Sequence, residues 1–266
     1  METTAINHNH YQEAYPGLDA FATTDLESLN GLALMNRIDT KYLLPIAKLG
    51  DFLQTLAPTC QVLSINNQSV MNYENIYFDT AENDMYLAHH NGRLRRSKIR
   101  FRTYENTGVS FLEIKNKNNK GRTHKIRLLR SINTPHFTIP EMAYIRANCR
   151  FDPTDLKPKL LNQFKRITLV NYQSGERCTI DTGIFFESGR HQMHLKELAV
   201  VEIKRERSNQ LSAIKGILEN SGVKPSQFSK YCMGRTALEP RLKANRFKKR
   251  LRVINKMKTE NSTHTL

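Results

Sequence analysis

The sequence predicts an α+β fold built on an antiparallel sheet, and three observations predict it. Seven short stretches alternate ionic and apolar residues with a period of two: Arg37 to Lys41, Lys98 to Arg102, Glu113 to Lys117, Lys125 to Arg127, Arg166 to Leu169, Arg177 to Asp181 and Glu202 to Lys204. Successive strand side chains point to opposite sides, so each stretch sets its charges on one surface and its Ile, Leu or Phe on the other. Turn-rich breaks, Asn106-Thr107-Gly108 and Asn118-Asn119-Lys120-Gly121, join neighbouring strands as hairpin connections do. No strand-helix-strand alternation runs through the chain, which argues against a parallel sheet, and a sheet of this many strands has the option of closing into a barrel.

Taken in order, residues 1–20 are polar, carry His8 and His10, and read as a loose end. Thr24 or Asp25 caps a helix with Leu26, Leu29, Leu32 and Ala33 on one face. After the first charged strand, Pro45 suits the first position of a second helix, which turns Ile46, Leu49, Phe52, Leu53 and Leu56 to the core and ends before Pro58. Residues 60–66 and 70–79 read as a strand pair about the turn Asn66-Asn67-Gln68-Ser69. A helical segment near Glu82 to His90 precedes three strands over 93–104, 109–117 and 122–131. Pro140 to Asn148 reads as helix, strands resume from Asn162 to about Phe186 and from Lys196 to Lys204, and Ser208 opens a helix with Leu211, Ile214 and Leu218. The charged strands run from Arg37 to Lys204 without a linker, so one domain over 21–240 is expected between the loose residues 1–20 and a basic tail, 241–266.

A formal charge of +16 and a pI near 9.8 imply an anionic partner. Nine Lys or Arg and a single Glu fall within 241–266, so half of that excess belongs to the tail. Leu242, Phe247, Leu251 and Ile254 lie among those cations. The tail is therefore either a basic amphipathic helix for an acidic membrane surface, a nucleic acid or polyphosphate, or a solvated end. For the strands two readings stand. Their charged faces are the solvated outside of a sheet, or they converge on a strongly anionic ligand such as a phosphate chain with a metal ion. Repeated Arg and Lys, where Ser, Thr, Asn or Gln would serve, favour the second, because adjacent like charges repel.

Familiar phosphate loops are missing: the sequence has no G-x-x-x-x-G-K-[ST], no G-x-G-x-x-G and no kinase signature, so side chains must hold any phosphate. G-x-S-x-G and H-E-x-x-H are absent too. His191 and His194 read as part of a solvated turn, His89 and His90 as surface, and Asp79 as a turn residue at a strand end. Cys60, Cys149, Cys178 and Cys232 show no paired spacing and read as core thiols. Without a signal peptide or about 18 consecutive apolar residues, the expected location is cytoplasmic, with peripheral membrane contact through the tail left open.

Eight motifs in order complete the pattern: Arg37-Ile38-Asp39-Thr40-Lys41-Tyr42, Tyr77-Phe78-Asp79-Thr80, Lys98 to Arg102, Glu113-Ile114-Lys115, Lys157 to Arg166, Arg177 to Asp181, Glu202-Ile203-Lys204 and Ser229 to Gly234. In these the chain resembles the polyphosphate polymerase domain of the vacuolar transporter chaperone (VTC) family, within the triphosphate tunnel metalloenzymes of CYTH-like type. The resemblance implies an eight-stranded antiparallel tunnel, a closed barrel with a charged lumen and flanking helices. It implies a phosphate cradle of Arg37, Lys41, Arg100, Arg102, Lys115, Lys125, Arg166, Lys204 and Lys230, with Lys41, Arg100, Arg102 and Lys230 as the catalytic cations. Glu202 matches the metal carboxylate, for Mn²⁺ or Mg²⁺. The implied activity is transfer of the γ-phosphate of ATP to inorganic polyphosphate, releasing ADP.

The triphosphatase branch opens with Glu-x-Glu-x-Lys where this chain has Arg37-x-Asp39-x-Lys41, which weakens a hydrolytic reading. Full-length eukaryotic members add a phosphate-sensing domain and a membrane segment that no stretch here matches, so export of product is not expected. Two rivals stay open: hydrolysis of tripolyphosphate or a nucleoside triphosphate in the same tunnel, and a binding module for polyphosphate or RNA without catalysis. Phe101 falls on the apolar side of its strand, which disfavours RNA stacking. Glu202 and Glu113 also have a plain reading as cross-strand partners of neighbouring cations, and Asp39 and Asp181 are weaker candidates than either.

Overall fold

The computed structural model describes residues 15–30, 37–131, 134–207 and 212–262. The first elements are β1 (Ala22–Thr24) and α1 (Leu26–Asn30), whose first turn Asp25 caps by accepting the Ser28 amide at 2.8 Å. Leu29 is buried, whereas Leu26 faces water; Leu32 and Ala33, like His8 and His10, lie outside the described residues. β2 (Arg37–Pro45) includes Pro45, which ends a strand instead of opening a helix. The fixed φ of proline suits both places, and a ψ of 135° decides for the strand. One 3₁₀ turn over Ile46–Lys48 follows, then α2 (Leu49–Leu56), which buries Leu49, Phe52, Leu53 and Leu56 as its spacing predicts.

β3 (Gln61–Leu63) and β4 (Val70–Asp79) do not pair with each other as expected. Asn66 and Asn67, both at positive φ, turn the chain so that the two strands occupy successive lengths of one edge of β8 (Lys157–Asn171), which is long enough for both. α3 (Asp84–His90) leads to the meander β5 (Arg96–Tyr104), β6 (Val109–Lys117) and β7 (Thr123–Arg130). α4 (Ile139–Asn148) begins with a capping box of Thr138 and Glu141.

β8 is followed by β9 (Glu176–Ser188), β10 (His191–Leu195) and β11 (Leu198–Glu206). His191 and His194 therefore sit in a strand paired with β9, not in a turn. α5 (Ala213–Asn220) starts at its Ser212 cap, later than expected, and Ser208 and Leu211 fall outside the described residues. β12 (Pro225–Ser226), α6 (Lys230–Leu238) and α7 (Lys248–Ser262) complete the chain.

Eight long strands run β2-β11-β9-β8-β4-β5-β6-β7, with β12 at the β2 end, all antiparallel. Among the described residues no ladder joins β7 to β2 or β12, so the expected closed barrel is replaced by a curled sheet whose hydrogen-bonded path is open. The curl brings its ends face to face: Asp39 and Lys41 of β2 line one cavity with Lys115 and Lys117 of β6 and Thr123 of β7. Apolar faces point outward, to a core under α2 and α5 that includes Tyr42, Leu44, Ile180 and Ile203, and to another under α4 that includes Ile99, Phe101, Leu112 and Ile114. A further core lies on the concave side, where α6 packs with Leu43, Leu160, Phe186 and Val200. The basic C-terminal segment docks there too, with Phe247 and Ile254 buried. Its apolar stripe is thus occupied by the protein itself, which corrects the picture of a free amphipathic or solvated tail.

Candidate functional site

Directly opposed residues in an antiparallel sheet share a face, and the register carries the charges around the concave wall. Lys41 opposes Glu202, which opposes Thr179. Asp181 opposes Arg166. Arg102 opposes Asn75, Arg100 opposes both Tyr77 and Glu113, and Lys115 opposes both Lys98 and Lys125.

Three carboxylates organise these cations. Asp181 takes a bidentate pair from Arg166, at 2.6 and 2.8 Å, and a hydrogen bond from the Lys230 ammonium. Glu113, almost wholly buried, accepts from Arg100 Nε at 2.8 Å and Nη2 at 2.5 Å, pairs with Lys125, and has Arg102 Nε 3.9 Å away. Glu202 pairs with Lys41 and has Lys204 at 3.8 Å. Burial by itself would raise all three carboxyls. The surrounding cations win, holding Glu113 and Glu202 at about 2 and Asp181 well below the usual carboxylate range. Burial pushes the half-buried Lys204 down to about 8 in spite of Glu202.

Aromatic faces support the guanidiniums: Arg102 and Arg166 both lie over Tyr73, at 5.2 and 5.0 Å, and Lys230 lies 4.2 Å from the Phe164 ring centre. Lys230 reaches the wall because α6 sits directly on it. A Cβ on Gly234 would fall 2.6 Å from Phe186 and 2.8 Å from Leu160, so only glycine permits this approach. A cation on the first turn of a helix opposes the helix dipole, and Asp181 offsets it. Behind Lys230, Tyr231 donates to Asp79 at 2.5 Å, and the fully buried Arg235 donates to Tyr231 at 2.8 Å and to Asn83 at 2.6 Å. Asp79 also accepts from the amides of Thr80, Met85 and Tyr86, so it is a turn residue as expected and a link between α3 and α6 besides.

All nine expected phosphate ligands occupy the concave face. Arg37 is the outlier, half exposed at the strand's beginning with Asp39 3.1 Å away. Lys98, which donates to Ser229 at 3.0 Å, was visible in the alternation but not singled out. His89 and His90 are not surface residues: His90 is buried, and His89 Nδ1 is buried without a hydrogen-bond partner. Cys60, Cys178 and Cys232 are buried and Cys149 is half-buried.

Among the described residues no three His, Cys, Asp or Glu side chains gather as a protein metal cage. The oxygen donors facing one another are the Glu202 carboxylate and the hydroxyl of Thr179, which is buried without a partner. This set fits a hard divalent cation that takes most of its six or so ligands from phosphate and water. No helix among the described residues is long and apolar enough to cross a membrane.

No curated protein matches the sequence closely enough to count as a relative. Among solved structures, a candidate adenylate cyclase of Bacillus halodurans aligns with TM-score 0.48 at 14% identity, covering 80% of this chain and 99% of that one. A candidate adenylyl cyclase of Hippeastrum with a dominant triphosphatase activity gives 0.47 at 16%, covering 76% and 96%. A candidate adenylate cyclase of Vibrio parahaemolyticus gives 0.45 at 8%, covering 73% and 94%. The family model of the VTC domain matches residues 36–239, which span the curled sheet and its internal helix, and the chain belongs to that family.

Proposed function

We propose that the protein is a metal-dependent polyphosphate polymerase, which transfers the γ-phosphate of ATP to the end of an inorganic polyphosphate chain and releases ADP. The observation that carries this reading is the gathering of nine Lys and Arg on one concave wall, with Asp39, Glu113, Asp181 and Glu202 set among them in the described residues. Arg100, Arg102 and Arg166 offer planar forks to phosphate oxygens, while Lys41, Lys204 and Lys230 offer compact charges. A divalent ion at Glu202, Mn²⁺ or Mg²⁺, would neutralise charge on the phosphates.

In the transfer, a terminal oxygen of the chain bonds to the γ-phosphorus, and the bond from that phosphorus to the bridging oxygen breaks with its electron pair leaving on ADP. Charge spreads over the transferred group, and fixed cations stabilise it by position alone. A chain terminus is already an oxyanion at neutral pH. Water is not, and would need a base to activate it. Glu113 and Glu202, at about 2, are poor bases. The lack of a carboxylate base beside the cations, among the described residues, supports transfer to phosphate as the reading, and product analysis decides between it and hydrolysis.

The test is incubation with ATP and Mn²⁺ or Mg²⁺, resolving ADP, orthophosphate and polymer, beside Glu202→Ala and Lys41→Ala. Polymer with stoichiometric ADP from the wild type alone is expected. Orthophosphate in place of polymer would mean hydrolysis, and salt-sensitive polyphosphate binding that ignores Glu202→Ala, without turnover, would mean a binding module.

A further inference from the structure

One part of the cation set obeys a different rule from the rest. In the centre of the wall each arginine or lysine cluster has its carboxylate. Beside it lies a cavity of about 330 Å³ lined by Arg96, Lys98 and Lys117 from the sheet and by Arg246 and Arg250 from the C-terminal segment. Among the described residues none of these five has a salt-bridge partner within 4.0 Å.

The arrangement is built. The guanidinium of Arg246 lies against Gly92, and the Arg246 amide donates to His90 Nε2 at 3.3 Å. Arg250 reaches Gln227 at 3.3 Å. His89, on the same wall, feels Lys98, Arg96, Arg246 and Arg250 together; burial first and these four cations next push it down to about 2. It remains a neutral imidazole, able to donate one N–H. So many close cations around a single carboxylate, Asp39, which is itself paired with Arg37, call for an anion from outside. Asp39, Lys41 and Lys115 line the same cavity, so it is continuous with the catalytic wall. Its aromatic neighbours Phe228 and Phe247 are buried, which leaves no stacking platform for nucleobases.

We propose that this mouth is an anchoring site for the distal phosphates of a long linear polyphosphate, adjoining the site that takes the reacting groups through Lys41 and Lys115 and built in part by residues beyond the VTC-domain match at 36–239. The assignment rests on the polymerase reading for its ligand class. A triphosphate confined to the centre does not need Arg246 or Arg250, whereas a long chain does.

The test is calorimetric titration of the full chain with a long-chain sodium polyphosphate and, separately, with tripolyphosphate. The double variant Arg246→Gln/Arg250→Gln should weaken long-chain binding about tenfold and flatten its salt dependence, leaving tripolyphosphate binding as in the wild type. Lys117→Gln, on the facing wall and independent of how the C-terminal segment docks, should act in the same direction. Unchanged long-chain binding in both, equal losses for both ligands, or no long-chain binding by the wild type would each overturn the assignment. A single-stranded RNA oligomer binding the mouth as tightly as polyphosphate would overturn it also. If the wild type makes polymer while the variants keep their long-chain affinity, only the mouth assignment falls; if no polymer forms, the reading beneath it falls.

Discussion

At the scale of the residue, Lys204 is where the chemistry of the wall meets pH. Its ammonium is pushed down to about 8, first by burial, against an ordinary 10.5. Above pH 8 the folded protein sheds a proton that the unfolded chain keeps until about 10.5. Two trends of opposite sign follow. On the proposed function, tripolyphosphate affinity should fall as pH rises from 7 to 9, because a charge assigned there to phosphate is lost. Across the same rise, this group should add stability to the ligand-free protein, since its uncomfortable charge is relieved. Titration calorimetry and thermal melts on wild type and Lys204→Met check both, with Lys204→Met flattening each trend. The alternation of ionic and apolar residues made Lys204 legible, because a strand fixes the side of every second residue. Asp181 was harder to weigh, since its importance comes from Lys230, brought in from a helix far along the chain. His89 was misplaced for a similar reason: its burial depends on residues 246–250 packing over it.

At the scale of the element, α6 decides whether the wall is a groove or a furnished site. The helix is seated by the missing Cβ of Gly234 and tied by the Asp79, Tyr231 and Arg235 network. Gly234→Ala should cost about 1–3 kcal/mol by overpacking against Phe186 and Leu160. It should also lower turnover more than it weakens ATP binding, as Lys230 moves off Asp181. Denaturant unfolding and steady-state kinetics measure the two effects, and an alanine variant with native stability and native turnover would remove α6 as a positioning element. Strands, hairpins and α4 were readable from period and turn chemistry. The role of Pro45 and the partner of β3 were not, because a proline fixes φ but leaves ψ free, and because the partner of a three-residue strand is chosen by a neighbour distant in sequence.

At the scale of the whole molecule, the C-terminal segment belongs to the packed body. Phe247 and Ile254 are buried against the core that holds Tyr86 and Tyr231. Burial of such side chains is worth about 2 kcal/mol each. Truncation after Leu242 should therefore lower the melting temperature by several degrees in scanning calorimetry, and a truncated chain melting with the full one would show that the segment adds nothing to the fold. The eight long strands of the wall follow from pattern and resemblance. The open seam does not, because closure depends on how far the sheet coils, which no local pattern records.

The carboxylates on the concave wall have a consequence for what the site admits. Glu113, Asp181 and Glu202 act as resident counter-ions, so binding is ion exchange and not simple capture. An incoming anion must offer the cations more than the carboxylate it pulls them from. Chloride, a single diffuse charge, offers less. A triphosphate, with several charges on adjacent groups and a metal ion to occupy the freed carboxylate, offers more. The wall thus sets a threshold of charge density and keeps its basic residues from being saturated by the salt around them.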